Sequence, residues 1–137
     1  MTTLKNHECF INELVSAFPE IKDEVLDEDY LGLISLQIGC FKRFTQKAID
    51  IDDLVTVKKC FEFVNRKFET VEFEIENALL ISYLGKLNIT KNSEVEKLLS
   101  TKLKGAIERL TFYYESNPKN EKRDKFLNDL KDNPSSF

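Results

Sequence analysis

The stretch that decides the fold is residues 54–68, LVTVKKCFEFVNRKF. Its apolar side chains recur at intervals of three and four residues, at Leu54, Val57, Phe61, Val64 and Phe68. Residues with this spacing line one face of an α-helix, because the helix has about 3.6 residues per turn. The stretch therefore predicts an amphipathic helix that packs its apolar face against neighbouring helices.

The same periodicity extends over most of the chain. A stripe along residues 30–49 indicates a long helix, and it consists of Leu33, Leu36, Cys40, Phe44 and Ala48. Three further apolar residues widen the stripe and indicate a central position, namely Ile34, Ile38 and Phe41. The segment 78–84 is apolar on nearly all sides, which predicts burial on several sides. The full set of predicted helices covers residues 3–18, 19–27, 30–49, 54–68, 71–87, 93–116 and 120–131.

Residues that cap or interrupt helices mark the predicted boundaries. Thr3 and Asp52 are placed to cap the helices that follow them. Ser93 and Glu96 have the spacing of a capping box, in which Glu96 returns to the backbone of Ser93. Pro19 separates the first two helices and suits the first turn of the second.

The short connections make consecutive helices antiparallel neighbours. We therefore expect an all-α, single-domain helical bundle, or a compact stack of antiparallel helical hairpins, with about six to seven helices. The domain is predicted to cover residues 1–132, and residues 133–137 are predicted to form a frayed tail. The sequence indicates no oligomeric state.

Composition favours a cytoplasmic protein. The beginning of the chain lacks the apolar region of a secretory signal. The longest apolar stretch, near residues 78–84, is far shorter than the roughly 20 residues that span a bilayer. We therefore expect a cytoplasmic location and no membrane association. The sequence pI of about 5.2 is the opposite of the basic character of nucleic-acid-binding domains, so no nucleic-acid partner is expected.

Residues that carry catalytic chemistry are scarce. The single histidine is His7, which is expected to face solvent near the start of the chain. Catalytic Ser/His and Cys/His pairs and most metal sites need a suitably placed histidine. Cys9, Cys40 and Cys60 are interpreted as reduced cysteines, with the last two in the core. We therefore expect no enzymatic activity, no metal and no cofactor.

Carboxylates are the exception to this scarcity. Glu72 and Glu76 are four residues apart and share a predicted helix face, next to Glu69 and Glu74. A metal-dependent enzyme using the carboxylates of residues 69–76 is therefore one alternative. A helical two-metal site normally adds a Glu-x-x-His motif, which the chain lacks, and a solvated helix face is the simpler interpretation.

Charge is distributed unevenly along the chain. Residues 1–30 contain eight acidic and two basic side chains, whereas residues 31–137 contain sixteen and eighteen. A concentrated field of one sign attracts partners of the opposite sign. We predict that eight acidic residues bind a partner, namely Glu20, Asp23, Glu24, Asp27, Glu28, Asp29, Glu72 and Glu76. The alternatives are a merely solvated face, or neutralisation by Lys and Arg of the same chain.

A family resemblance covers residues 33–107. The residues that carry it are Leu36–Gly39, Phe41, Phe44–Thr45, Asp53–Leu54, Val57–Phe61, Phe63, Glu76–Leu79 and Ile81–Leu84. This pattern resembles an uncharacterised family of small all-helical bacterial proteins, similar to immunity proteins of the contact-dependent inhibition type. Such proteins bind and neutralise a co-encoded antibacterial toxin. The resemblance leaves the first thirty and the last twenty residues outside it and transfers no binding residue.

Two functions from different classes follow. The first is a non-enzymatic immunity protein that binds a cognate toxin, expected to be a basic nuclease domain, with Phe73, Tyr113 and Tyr114 as candidate anchors. The alternative is a helical adaptor or regulatory module, which would bind a partner protein or peptide in a groove between hairpins.

Overall fold

The computed structural model describes residues 5–116, the last three by their backbone alone. This range forms seven α-helices and no β-strand, so the predicted all-α fold is confirmed. No helix in the described range is long and apolar enough to cross a membrane. The helices are α1 (His7–Ala17), α2 (Lys22–Val25), α3 (Ile34–Asp50), α4 (Leu54–Lys67), α5 (Phe73–Ala78), α6 (Glu94–Lys97) and α7 (Thr101–Ser116).

Two irregular segments complete the helical path. A 3₁₀ turn, Pro19–Ile21, leads into α2, and a π-helical segment, Leu79–Leu84, continues α5. Pro19 therefore stands in the first turn of the second helical unit, as predicted. The π-helical segment buries Leu79, Tyr83 and Leu84, which confirms that the apolar stretch 78–84 is a core segment.

The central helix is α3, which contacts α2, α4, α5 and the π-helical segment. The predicted stripe of α4 is confirmed from Val57 onward, because Val57, Phe61 and Val64 are buried and Phe68 is buried just after the helix ends. Its first residue, Leu54, is exposed. Aromatic rings fill the space between these elements. Phe41 of α3 stacks on Tyr83 at 4.8 Å between ring centroids, and it contacts Phe63 of α4 edge-on at 5.8 Å.

The predicted stripe of α3 is wrong at its beginning. Leu33 and Leu36 are exposed, whereas Cys40 and Ala48 of the stripe and the flanking Ile38 and Phe41 are buried as predicted. The core face of α3 also carries two polar residues, Gln37 and Thr45. Both pairs continue the spacing of a helix face, so periodicity alone does not choose between them. The choice is made by the position of α2, which packs against the side of α3 that carries Gln37.

Several helix boundaries also differ from prediction. α1 begins at His7 because the Asn6 side chain accepts a hydrogen bond from the Cys9 amide at 2.9 Å, and Thr3 lies outside the described residues. α3 begins at Ile34 because residues 28–32 form turns, with Gly32 in the left-handed region at φ 79°. The cap of α4 is Asp53, which accepts from the Thr56 amide, and the neighbouring Asp52 is itself left-handed at φ 57°.

The predicted helix 93–116 is divided into α6 and α7. Ser93 caps α6 as expected, but the Glu96 carboxylate accepts from the Asn92 amide rather than from Ser93. Ser100 accepts from the Leu103 amide at 3.1 Å and donates to Asn65 of α4 at 2.7 Å. This second cap starts a new helix and explains the division. The predicted helix 120–131 and tail 133–137 lie outside the described residues.

An ion-pair network fixes the N-terminal segment to α4. The Lys5 amide donates to Thr70 O at 3.0 Å, and Lys5 O accepts from the Glu72 amide at 2.9 Å. The Glu13 carboxylate accepts from the Lys5 ammonium at 2.5 Å and from the Lys67 ammonium. These charged hydrogen bonds lower the pKa of Glu13 to about 2.

Gly85, just after the π-helical segment, is required by close packing. A Cβ atom at this position would lie 2.9 Å from Leu110 Cδ2 of α7 and 3.0 Å from Ile81 O. We predict that Gly85→Ala lowers the free energy of unfolding by about 1–3 kcal/mol, measured by urea unfolding. The matched control is Gly39→Ala in α3, where the nearest heavy atom is 3.6 Å from the added Cβ. That change should leave stability equal or up to about 1 kcal/mol higher, and equal losses at both sites would contradict the packing argument.

The Glu13 network predicts a specific dependence of stability on pH. The folded-state pKa is about 2 and the ordinary value is 4.5, so the network stabilises fully above about pH 5 and weakens as the pH falls towards 2. Glu13→Gln should lower the free energy of unfolding by about 1 kcal/mol at pH 7, since solvent screens part of the interaction. The difference from the native chain should narrow between pH 5 and pH 2. Glu62→Gln, at an exposed position on α4, should change stability by less than about 0.5 kcal/mol at pH 7.

Candidate partner-binding surface

The acidic segment, residues 19–30, lies on the central helix with its acids turned outward. Ile21 and Val25 are buried, and Leu26 is half-buried against the core. All six acids of the segment are exposed, namely Glu20, Asp23, Glu24, Asp27, Glu28 and Asp29. The segment is therefore amphipathic, and its apolar side holds it to α1 and α3.

A buried glutamine fixes α2 to its neighbours. Gln37 of α3 donates from Nε2 to Val25 O at 3.0 Å, and its Oε1 lies 2.6 Å from His7 Nε2. Because Gln37 Oε1 can only accept, His7 is the donor in this pair. The expectation that His7 faces solvent is therefore wrong: its ring is half-buried and links α1 to α3. The sequence offered one indication of this bridge, namely that Gln37 is a polar residue among the apolar residues of α3.

Within the described range, Glu24 is the one acid of this segment that forms an ion pair, and its partner is Arg43 of α3. The hydrogen bond from Arg43 lowers the pKa of Glu24. Glu20 and Glu24 also line a cleft of about 490 Å³ that contains Arg43 and Lys47. Neutralisation by the same chain, one of the alternatives drawn from the sequence, thus applies at this end of the segment.

The remaining acids of the segment lack a basic partner in the described part of the chain. Asp23, Asp27, Glu28 and Asp29 form no ion pair with any residue in the described part of the chain. Asp27 Oδ1 accepts the Asp29 amide at 2.9 Å, which closes a turn and spaces these carboxylates along the surface. Their mutual repulsion is relieved by solvent or by a basic partner.

The two acids predicted on α5 have different surroundings. Glu72 immediately precedes the helix and is exposed. Glu76 is half-buried, and its carboxylate accepts from the Glu69 amide at 2.6 Å. Among residues 5–116, no three His, Cys, Asp or Glu side chains are close enough together to hold a metal ion. The participation of Glu72 and Glu76 in partner binding stays a prediction.

The cysteines are reduced. Cys40 and Cys60 are buried, which confirms the core interpretation, and burial raises the pKa of each thiol to about 11. Cys9 is half-buried, and its Sγ lies 3.6 Å from Glu13 Oε1.

An apolar surface lies beside the acids, and Phe73 is the one of its residues that the sequence predicted as a candidate for binding. Phe73, the first residue of α5, exposes 77% of its surface and stands between Glu72 and Glu74. Across from it, Leu33 and Leu36 each expose about half of theirs. The space between them, here called the α3–α5 groove, has a volume of about 520 Å³ and is lined by Gly32, Leu33, Ile34, Ser35, Leu36, Phe73, Glu74 and Asn77.

Of the three predicted aromatic anchors, Phe73 is thus placed at a groove. Tyr113 on α7 is exposed over 54% of its surface, and the side chain of Tyr114 lies outside the described part of the chain. Leu33 and Leu36 were missed because their spacing continues that of the apolar stripe, which placed them in the core. The acidic segment and the groove adjoin, since Asp29 is four residues before Leu33.

The fold defines an all-helical domain of helices packed around α3. The domain family described as Domain of unknown function (DUF7674) matches residues 11–115, and the chain belongs to that family. The matched range includes residues 20–29, so the acidic segment is part of the family domain rather than an addition to it. No similar curated protein and no similar solved structure was found.

The bridge through Gln37 predicts how the acidic segment can be loosened. Gln37→Leu leaves His7 and Val25 O without their partner and should lower the free energy of unfolding by about 1–3 kcal/mol. Hydrogen exchange of the Leu26 amide, which donates to Lys22 O within α2, should accelerate more than exchange in α4.

The control for this prediction is Gln46→Leu, on the same helix. Gln46 bonds to Asp50 and to the backbone of Asn88, not to α2. Its loss should leave exchange of the Leu26 amide unchanged relative to global stability. Equal acceleration in both variants would show that Gln37 has no special role in holding α2.

Proposed function

We propose that the protein is a non-enzymatic bacterial immunity protein that binds and neutralises a cognate antibacterial toxin in the cytoplasm. The observation that carries the proposal is the acidic surface at residues 23 and 27–29, which forms no ion pair with residues 5–116. It lies on a segment whose other side packs on the core and is bonded to Gln37. A surface of this kind complements a basic partner, and the partner of best fit is a nuclease domain, whose cleft is positively charged in order to bind phosphates.

The position of the acidic segment on the surface explains how the protein would inhibit the toxin. An acidic segment that enters or covers a phosphate-binding cleft competes with nucleic acid for the same basic side chains. Charges at the rim of such an interface mainly accelerate the encounter, while buried contacts set how long the complex lasts. Because Ile21 and Val25 dock the segment on the core, it meets the toxin with little ordering to be completed on binding.

The adaptor alternative is favoured by a different observation, the α3–α5 groove. A helical module of this kind would hold a partner helix in the groove and would need no toxin. The two functions differ in the partner: an immunity protein protects cells from a toxic domain encoded beside it, whereas an adaptor does not.

The experiment that tests the proposal is co-expression with the toxic domain encoded by the neighbouring gene. Rescue of growth together with co-purification of the two proteins is the expected result. A toxin that still kills and does not co-purify would refute the immunity function. Rescue without a complex would point to an indirect effect and would also count against direct neutralisation.

Charge reversal tests the role of the acidic segment. The triple variant Asp23→Lys, Glu28→Lys, Asp29→Lys removes exposed carboxylates that have no ion-pair partner in the described chain. We expect the association rate with the toxin to fall about ten-fold or more at low salt and its salt dependence to flatten, as measured by stopped-flow fluorescence. Reversal of Glu62, Glu94 and Glu108, which are exposed elsewhere, gives a control with the same change in net charge, in which Glu94 is paired with Lys97 on the surface. An equal effect of both triple variants would mean that net charge, and not this segment, steers the toxin.

A further inference from the structure

We propose that the α3–α5 groove is the anchor of the partner interface and that it receives the apolar face of a basic amphipathic helix of the partner. This inference rests on the proposed function and deepens it, because it assigns the residues that hold the complex after charge has brought the partner near.

The groove has the character of a binding hot spot. Phe73 is 77% exposed, although it is a large aromatic residue at the first position of a helix whose other apolar residues, Ile75 and Ala78, are buried. Leu33 and Leu36, three residues apart, present a second apolar wall on one side of α3. Aromatic side chains in such settings dominate the binding energy of interfaces, and a contiguous exposed apolar patch marks an interaction site.

Charge around the groove selects a basic occupant. Its lining residues include one acid, Glu74, and no Lys or Arg. The acids Asp29 and Glu72 lie within three residues of lining residues along the chain. The backbone of Lys5 pairs beside Glu72, but its ammonium is held by Glu13. An apolar groove with a rim of one sign therefore repels acidic partners and accommodates a helix with apolar residues on one side and basic residues at its edges.

The walls of the groove are held in place before binding. Leu33 O accepts from the amides of Leu36 and Gln37, which fixes the first turn of α3. Lys5 pairs with residues 70–72 immediately before Phe73, and α5 packs against α3. A preformed groove loses little conformational entropy when a helix enters.

The shape of the groove favours a helix over a small molecule. Small-molecule sites enclose most of their ligand and place a few buried polar groups against it. Here the polar lining residues Ser35, Glu74 and Asn77 are all exposed and form a rim, and the apolar walls are open to solvent. An amphipathic helix uses residues at i, i+3 and i+4 to fill a groove of this kind.

The test uses the full-length protein and a synthetic 15-residue amphipathic helix of Lys and Leu as the probe, with a Glu/Leu helix of the same pattern as its counterpart. Phe73→Ala should weaken binding of the Lys/Leu helix about ten-fold or more in fluorescence anisotropy. Phe112→Ala is the matched control, because Phe112 on α7 is 69% exposed and lies outside the groove, and it should change binding less than about two-fold. Removal of either exposed ring should leave the circular dichroism spectrum unchanged.

Three outcomes would overturn the anchor. Equal weakening by Phe73→Ala and Phe112→Ala would mean nonspecific attraction of a cationic peptide. Binding of the Glu/Leu helix as strong as that of the Lys/Leu helix would contradict the charge selection. Self-association of the native chain that Phe73→Ala abolishes, seen by sedimentation velocity, would identify a second copy of the chain as the occupant.

The anchor and the proposed function fail in different experiments. With the toxin, Phe73→Ala should raise the dissociation rate about ten-fold or more and leave the association rate nearly unchanged, the reverse of charge reversal in the acidic segment. A toxin that binds the native chain but ignores Phe73 would refute the anchor alone. A native chain that binds the Lys/Leu helix through Phe73 but no toxin would refute the immunity function and leave the groove established.

Discussion

The packing of the Phe41 ring in the middle of α3 is the contact on which the rest of the fold depends. Its neighbours come from three other parts of the chain: Phe18 after α1, Phe63 of α4 and Tyr83 of the π-helical segment. Tyr83 could not be buried beside it without a partner for its hydroxyl. Thr45, one turn after Phe41, lies 2.9 Å from that hydroxyl and donates its own proton to Phe41 O, so Tyr83 is the donor between them.

This arrangement determines where the candidate surface lies. Phe41 faces the core, and Gln37, one turn earlier on the same side of α3, faces inward against α2. Leu36 is exposed, although Cys40, one turn later on its own side, is buried. Gln37 links the acidic segment to α3, while Leu36 forms a wall of the α3–α5 groove. The acidic and apolar parts of the surface thus both depend on the first turns of α3.

Much of the fold could be predicted from the sequence. The apolar residues of α4 and of the segment 78–84 have spacings that are compatible with only one buried face or core segment. The start of α3 has two interpretations, because Leu33 and Leu36 continue the spacing of Cys40, whereas Gln37 continues that of Phe41 and Thr45. The packing of α2 buries Gln37, and the two leucines stay exposed. Neighbouring Asp52 and Asp53 pose a similar choice of cap. The ion pair between Glu24 and Arg43 joins residues nineteen positions apart, so it could not be predicted from a local sequence pattern. The acids themselves were predictable as exposed, whereas the groove was not, because its leucines continue an apolar stripe.

Two features that are unfavourable for an isolated chain occur side by side in this molecule. Like charges at residues 27–29 repel one another, and an exposed phenylalanine orders water without packing gain. A partner that is only basic relieves the repulsion between the acids. A partner that is only apolar removes the exposed phenylalanine ring from water. Because Glu74 lines the α3–α5 groove together with Phe73, a partner that fills the groove also meets that carboxylate. Under the proposed function this coupling gives selectivity. A polycation without an apolar ridge dissociates quickly, and an apolar surface without positive charge associates slowly. A toxin that has both features associates quickly and dissociates slowly.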